Sequence, residues 1–347
     1  MKKRWSSIIL GVVISVVALA LLLRRDLTGV RDELLHARYW AVVPCVALSV
    51  AGLWLRGVRW RVLLNGRLPL ARSFHILNVS YFINGVLPLR VGELARAVLA
   101  ARAEPPVPVL TSLSTIVVER LLDTLAVFAL IGLTLLALPV GLEIGLMGAA
   151  LGVGAVVGVI VLAVFARRPA WAHRLLDGLG RAVPLLRREK VHDWLDEVLA
   201  GLVPLGSPRL ALLAAGWTAA AWAMSVIAGY ALLFAFFDAP TWAASMAMVA
   251  LASFAIAVPA VPGNLGPFEA AVVFGLAGAG LVENATDAPA VAFALLLHVV
   301  NLATYILMGL IGLWAENVSL GDVTRAARAL AARRETPAVP EVDAPLG

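Results

Sequence analysis

The sequence predicts an all-α polytopic membrane protein with about six full transmembrane helices plus two broken re-entrant hairpins in an inverted-repeat arrangement. Three observations lead there. The chain has 347 residues, of which 61% are hydrophobic and only 14% charged, and its mean hydropathy is +0.93. Its apolar residues gather into runs of the length a helix needs, about 20 residues, to cross the hydrocarbon of a bilayer. Two of these runs are interrupted in the same way. "VSYFINGVLPLRVGELARAVL" (79–99) places Pro88, Arg90 and Glu93 within six residues, and "FAIAVPAVPGNLGPFEAAVVF" (254–274) places Pro262, Gly263, Gly266 and Glu269.

The apolar runs, in order, are 8–23, 39–55, 73–89, 107–138, 142–165, 210–237, 241–261, 266–281 and 290–314. The first follows Lys2-Lys3-Arg4 and resembles a signal peptide, but three leucines and Arg24-Arg25 follow Ala20 directly, so it reads as an uncleaved span. The segment 56–72 carries Arg56, Arg59, Arg61, Arg67 and Arg72 without an acid and is expected in the cytoplasm. The arginine-rich loop 166–209 and the tail with Arg325, Arg328, Arg333 and Arg334 are expected on the same side. Asp238, Glu283 and Asp287 stand in short acidic connections expected outside. The formal charge of +6 therefore reports topology, and no nucleic-acid partner is expected.

Parity then constrains the hairpins. With both termini and the basic loops inside, the stretch 73–103 begins and ends on the cytoplasmic side, and 241–281 begins and ends outside. Neither is a simple span, and a fold-back at each proline-glycine break satisfies the count. The chain divides into a first membrane repeat (1–138), a second (142–314) and a cytoplasmic, partly disordered tail (316–347). Gly/Pro-interrupted segments at corresponding places in two halves point to a transporter site near the midplane. "VVERLLDTLAVF" (117–128) and "VVNLATYILMGL" (299–310), each following a hairpin, echo one another. Two ordinary spans at 241–261 and 266–281 are the simpler alternative.

Within the loop, Val191, Trp194, Leu195, Val198, Leu199 and Leu202 recur at helical spacing, the pattern of an amphipathic helix lying in the interface or capping the bundle. Trp5, Trp40, Trp54, Trp60, Trp242 and Trp314 fall near span ends, where indole rings favour the headgroup zone. The single cysteine, Cys45, excludes an intramolecular disulfide and reads as a small packed hydrophobe.

Charges inside apolar runs cost several kcal/mol and face a partner or a wet cavity. Arg90 and Glu93 stand at the first break, Glu269 just past the second, and Glu119, Arg120 and Asp123 inside the run 107–138. Asn78, Asn84, Asn264 and Asn301 accompany them. Glu119 and Asp123, four apart, share a helical face, and Arg120 can pair with Asp123. That triplet reads either as an internal ion pair stitching helices or as part of a polar cavity. Arg90, a planar guanidinium just before a helix N-terminus, suits a phosphate. Gly85, Gly92, Gly263 and Gly266 let the backbone turn or approach a ligand. The five histidines have no metal spacing, and no nucleotide loop or nucleophile elbow occurs. No enzyme activity, cofactor or metal is expected.

"PLRVGE" (88–93), "ERLLD" (119–123) and "PGNLGPFE" (262–269), in this order, resemble the lysylphosphatidylglycerol synthase transmembrane-region family over roughly residues 8–315. The family pattern usually has a second glycine where this chain has Asn264. In bifunctional members the membrane region is associated with moving an aminoacylated lipid outward, while a separate soluble domain makes it. The longest soluble stretch here is far too short for that domain, so the resemblance implies the flippase-like part without the synthase.

The expectation is an inner-membrane, multi-pass bacterial protein that moves a phospholipid or polyprenyl-phosphate-type lipid between leaflets. Arg90 would hold phosphate, and Glu93 and Glu269 a cationic headgroup or a proton. Glu119, Arg120, Asp123, Asn84, Asn264 and Asn301 would line the substrate path, with Pro88, Gly92, Pro262, Gly263 and Gly266 breaking the backbone. A non-transporting scaffold for envelope or lipid-modifying enzymes is the alternative. A homo-oligomer or a separate lipid-modifying enzyme is the expected protein partner.

Overall fold

The computed structural model of the chain describes residues 26–86, 91–137, 153–154, 156–158, 160–161, 163–181, 189–257 and 264–335. The first span, Trp5, Pro88, Arg90, Pro262, Gly263, much of the run 142–165 and the tail beyond Glu335 lie outside the described residues.

Every described element is a helix. They are α1 (Leu27–His36), α2 (Val42–Leu63, entered through a 3-10 turn at Tyr39–Ala41), α3 (Leu70–Val86), α4 (Val91–Ala101), α5 (Val109–Ala137) and α6 (Pro169–Gly180). After these come α7 (Glu189–Gly206), α8 (Pro208–Leu233), α9 (Trp242–Ala257), α10 (Pro267–Gly278), α11 (Ala288–Ala315) and α12 (Leu320–Glu335). Local chemistry sets many boundaries. Proline occupies the first turn of α6, α8, α10 and α11, where its missing N–H has no partner to lose. Beyond the ends of α2, α10 and α11, Asn65, Gly66, Gly280 and Asn317 take positive φ, the left-handed exit that stops a helix. At the start of α12 the Ser319 hydroxyl accepts from Asp322 N–H and donates to its carboxylate. That bond, and then the Arg325 guanidinium, hold Asp322 below the usual carboxylate range.

Among the described residues, three helical stretches are long and apolar enough to cross a membrane: Tyr39–Leu63, Pro208–Leu233 and Ala288–Ala315. The 29-residue α5 is longer, but holds Glu119, Arg120 and Asp123 in its middle. By contrast, α4 and α10 have 11 and 12 residues. At 1.5 Å per residue each reaches only about 18 Å, short of the ~30 Å hydrocarbon.

Packing runs between the two halves of the chain. α2 lies along α8, α3 along α11, and α5 along α9. Within each half the arms of the interrupted segments pack together, α3 on α4 and α9 on α10, and each second arm then meets the following long helix. One apolar cluster centres on α8–α11, with Phe293, Leu232 and Val272 sealed inside. A second joins α3, α4 and the end of α2 to α12 through Ile76, Leu99 and Val323.

Two expectations change. The second span does not stop at Leu55: α2 continues to Leu63, and Arg59 is only 2% exposed, so Arg56 and Arg59 belong to the helix and not to a loop. Trp60 is fully buried under the Arg96 guanidinium, 3.8 Å from its ring centre, and is no headgroup anchor. The amphipathic helix α7 resolves toward capping. Leu199, Leu202 and Leu205 are buried against Val118, Leu122 and Leu63, while Trp194 stays exposed.

Candidate functional site

The site is built where helices of both halves converge. A cavity of about 290 Å³ opens between α2, α3, α5, α8, α9, α10 and α11. Its polar wall comes from Ser49 and Arg56 on α2, Arg120 and Asp123 on α5, Ser225 on α8 and Asn301 on α11. Cys45, Ser49, Leu53 and Arg56 all line it because spacings of four, four and three residues keep one helical face turned inward. Tyr81 and Tyr305 stack at its edge, ring centres 5.4 Å apart.

Behind that wall lies a charge network. Arg59, itself buried, binds Asp123 through both terminal nitrogens at 2.5 and 3.4 Å and places its Nε 3.6 Å from Glu119. Arg96 clamps Glu119 from the other side with paired bonds of 2.6 and 3.0 Å. Glu119 is 3% exposed, so one carboxylate is held between two guanidinium groups out of water. This two-pronged geometry is what makes a buried charge tolerable. Asp123 also accepts from the Trp222 indole at 3.1 Å.

The broken segments supply the rest. Glu93, in the first turn of α4, accepts from Arg120 at 2.7 Å, and both are partly exposed. The Arg120–Asp123 contact is 3.9 Å, the longer of the pairs Arg120 makes. Asn84 Oδ1 accepts from the Gly92 N–H at 2.8 Å. A side chain at Gly92 would run into the Ser80 carbonyl, so α4 closes on α3 only because that position is bare.

At the second break, Glu269 reaches back to accept from Gly266 N–H at 2.6 Å, satisfying one of the unpaired donors that open α10. Its other oxygen lies 2.6 Å from His298 Nδ1 on α11, and the carboxylate is 0% exposed. Gly266 has φ +90, a conformation that favours glycine. Asn264 sits at φ +55, in the left-handed region that asparagine enters more readily than other side-chain residues.

The structure thus brings Glu93, Glu119, Arg120 and Asp123 into one network, with Asn301 across the cavity. Glu269 lies in a separate pair with His298 and does not line the cavity; Asn84, Gly92, Asn264 and Gly266 shape the backbone near the breaks. Sequence reasoning missed Arg56, Arg59, Arg96, Trp222 and the two tyrosines. The face marked out by Cys45, Ser49 and Leu53, extended three residues, would have found Arg56. Arg96, the one cation in the otherwise apolar helix "VGELARAVLAA" beside Glu93, was equally visible. Among the described residues, no group of three or more His, Cys, Asp or Glu side chains is arranged to hold a metal.

Comparison with known proteins gives two findings. Residues 8–309 match the model of the family described as "Lysylphosphatidylglycerol synthase TM region". The chain is also similar to a protein of the archaeon Haloferax volcanii named "Glycosyltransferase AglD", at 28% identity over 351 aligned residues. That alignment covers 90% of this chain but 55% of the relative, so the chain spans little more than half of that protein's length.

Proposed function

Because the chain belongs to the lysylphosphatidylglycerol synthase transmembrane-region family, we propose that it is an integral membrane lipid translocase, not itself an enzyme. In this reading it moves a phospholipid or polyprenyl-phosphate-type lipid between leaflets. The observation that carries the reading is the polar cavity, walled by apolar helices from both halves and backed by a buried charge network. Ionisable groups at such depth mark substrate pathways by default.

The order of packing supports an inverted repeat. If α1–α5 correspond to α7–α11, then α3 on α11 becomes α9 on α5, α1 on α11 becomes α7 on α5, and α2 on α8 maps onto itself. Every one of these pairs occurs, as an approximate two-fold axis in the membrane plane requires. Two ion pairs support the orientation. Arg38 meets Asp238 at 2.8 Å, joining two connections expected outside, and Arg72 meets Glu316 at 3.0 Å, joining two expected in the cytoplasm. In this frame Arg90, outside the described residues, stands at the first break as a phosphate ligand, and Arg120, Asp123 and Asn301 line the path. Arg120 exchanges Glu93 for the substrate phosphate.

The test is translocation of fluorescent lipids in vesicles holding the purified protein. Wild type should move a phosphate-bearing lipid faster than empty vesicles, and Arg90→Ala should slow it toward the empty rate. Wild type indistinguishable from empty vesicles for every lipid tried would refute the proposal.

A second reading is that the chain holds a lipid-modifying or envelope enzyme at the membrane. It is favoured by the relative called a glycosyltransferase, of which this chain matches only part. Deleting 166–209 should then abolish the cellular phenotype, whereas neutralising Arg120 should not.

A further inference from the structure

We infer that Arg56 is an anion-binding residue, and that the cavity takes the phosphate of a lipid headgroup carrying net negative charge. This deepens the translocase reading and rests on it. Three observations carry it.

The first is the charge balance. Around the cavity and its backing network stand the guanidinium groups of Arg56, Arg59, Arg96 and Arg120, against the carboxylates of Glu93, Glu119 and Asp123. The three carboxylates are all engaged by Arg59, Arg96 and Arg120. Among the described residues of this network, Arg56 is the cation in excess. Among the described residues its side-chain bond is to a neutral hydroxyl, Nη2 to Ser225 Oγ at 3.0 Å. The carboxylate on the cavity wall, Asp123, is already bound by Arg59, so Arg56 is under-compensated at this depth, and an incoming anion removes that cost.

The second is the company Arg56 keeps. Ser49, Asn301 and the Tyr81–Tyr305 pair line the same cavity. Asn301, Tyr81 and Tyr305 make no side-chain hydrogen bond to any described residue, so their donors remain for a ligand. A planar guanidinium flanked by neutral hydroxyl and amide donors, with the one carboxylate of the cavity wall, Asp123, already bound by Arg59 and Trp222, is a donor set that suits a phosphate ester.

The third is the state of the acids that a cationic headgroup would require. Glu269 is fully buried, with one oxygen on Gly266 N–H and the other on His298, and Glu93 is bound by Arg120. A cation would have to break one of these pairs or take Asp123 from Arg59, whereas an anion meets an Arg56 whose side-chain bond is to the Ser225 hydroxyl. The cavity, about 290 Å³, is at the small end of ligand sites, of order 300–1,000 Å³. It holds a headgroup and leaves the acyl chains outside among the apolar helix faces.

The experiment is calorimetric titration of the purified full-length protein in detergent with short-chain phosphatidylglycerol, short-chain phosphatidylcholine and inorganic phosphate. Wild type should bind the anionic lipid about tenfold or more tighter than the zwitterionic one, and inorganic phosphate more weakly than either. Arg56→Gln should cost about tenfold or more in phosphatidylglycerol affinity and erase the preference, while Arg56→Lys keeps the preference with weaker binding. Equal affinity in wild type and Arg56→Gln, or a preference for the zwitterion, overturns the inference. Inorganic phosphate binding as tightly as the lipid overturns the headgroup assignment in favour of the soluble anion. Should Arg56→Gln fail to fold, Ser225→Ala and Asn301→Ala replace it, each expected to weaken phosphatidylglycerol binding about threefold or more; no loss in either overturns the inference.

Vesicle translocation separates the two proposals. Protein that binds phosphatidylglycerol through Arg56 but moves no lipid defeats the translocase and leaves the anion site. Arg56→Gln that moves phosphatidylglycerol at the wild-type rate defeats the site and leaves the translocase.

Discussion

The two interrupted segments use the same device to opposite ends. In each, a glutamate in the first turn of the short second arm reaches a base on the next long helix: Glu93 to Arg120, and Glu269 to His298. The first pair is wet, with side chains 23% and 45% exposed, and Arg120 lines the cavity. The second is dry, at 0% and 9%, and its carboxylate also caps the backbone of its own helix. Water lets a pair of polar groups open at little cost, and its absence locks one. The first break is therefore the one able to exchange partners, and the second a fixed abutment.

The sharpest way to break this contrast lies in the network behind the first break. Glu119→Ala leaves Arg59 and Arg96 buried without their shared carboxylate and should cost about 3–5 kcal/mol. Thermal unfolding in detergent should register that as the largest drop of the set. Next comes Glu269→Ala, which strands His298 and unsatisfies the Gly266 N–H. A loss of about 2–3 kcal/mol is expected, with hydrogen exchange rising first in α10. Gly92→Ala should follow at about 1–3 kcal/mol, because α4 must shift away from the Ser80 carbonyl. Glu93→Gln should be mildest, about 0–1 kcal/mol, since its pair is partly solvated. It should nonetheless alter translocation more than Glu269→Gln does at matched stability. Equal unfolding losses for Glu93→Gln and Glu269→Ala would erase the wet–dry distinction.

Much of the fold was legible because bilayer crossing leaves a coarse signature. Apolar runs alone placed α8, α10 and α11 within a few residues. The site was legible only where acids interrupted greasy sequence, as at Glu119 and Asp123. Arginine carries two opposite messages, a cytoplasmic loop or a buried partner, and composition alone favours the loop. Hence Arg56 and Arg59 were assigned to a connection that the structure shows to be helix. Their role depends on Asp123, 64 residues from Arg59, and on Ser225, 169 residues from Arg56, and no local pattern encodes those meetings. His298, one of the five histidines without metal spacing, is buried against Glu269. His173 on α6 and His192 on α7 bring ring nitrogens within 3.2 Å, a meeting that sequence spacing did not reveal.

The connections at Arg38–Asp238 and Arg72–Glu316 act as two hasps, each fastening the front half of the chain to the back half at a different rim. They are not equally strong in brine. Asp238 is 95% exposed, whereas Glu316 is 7% exposed, so added electrolyte unfastens the first while the second holds. Ionic strength alone therefore loosens the rim at Asp238 before the rim at Glu316.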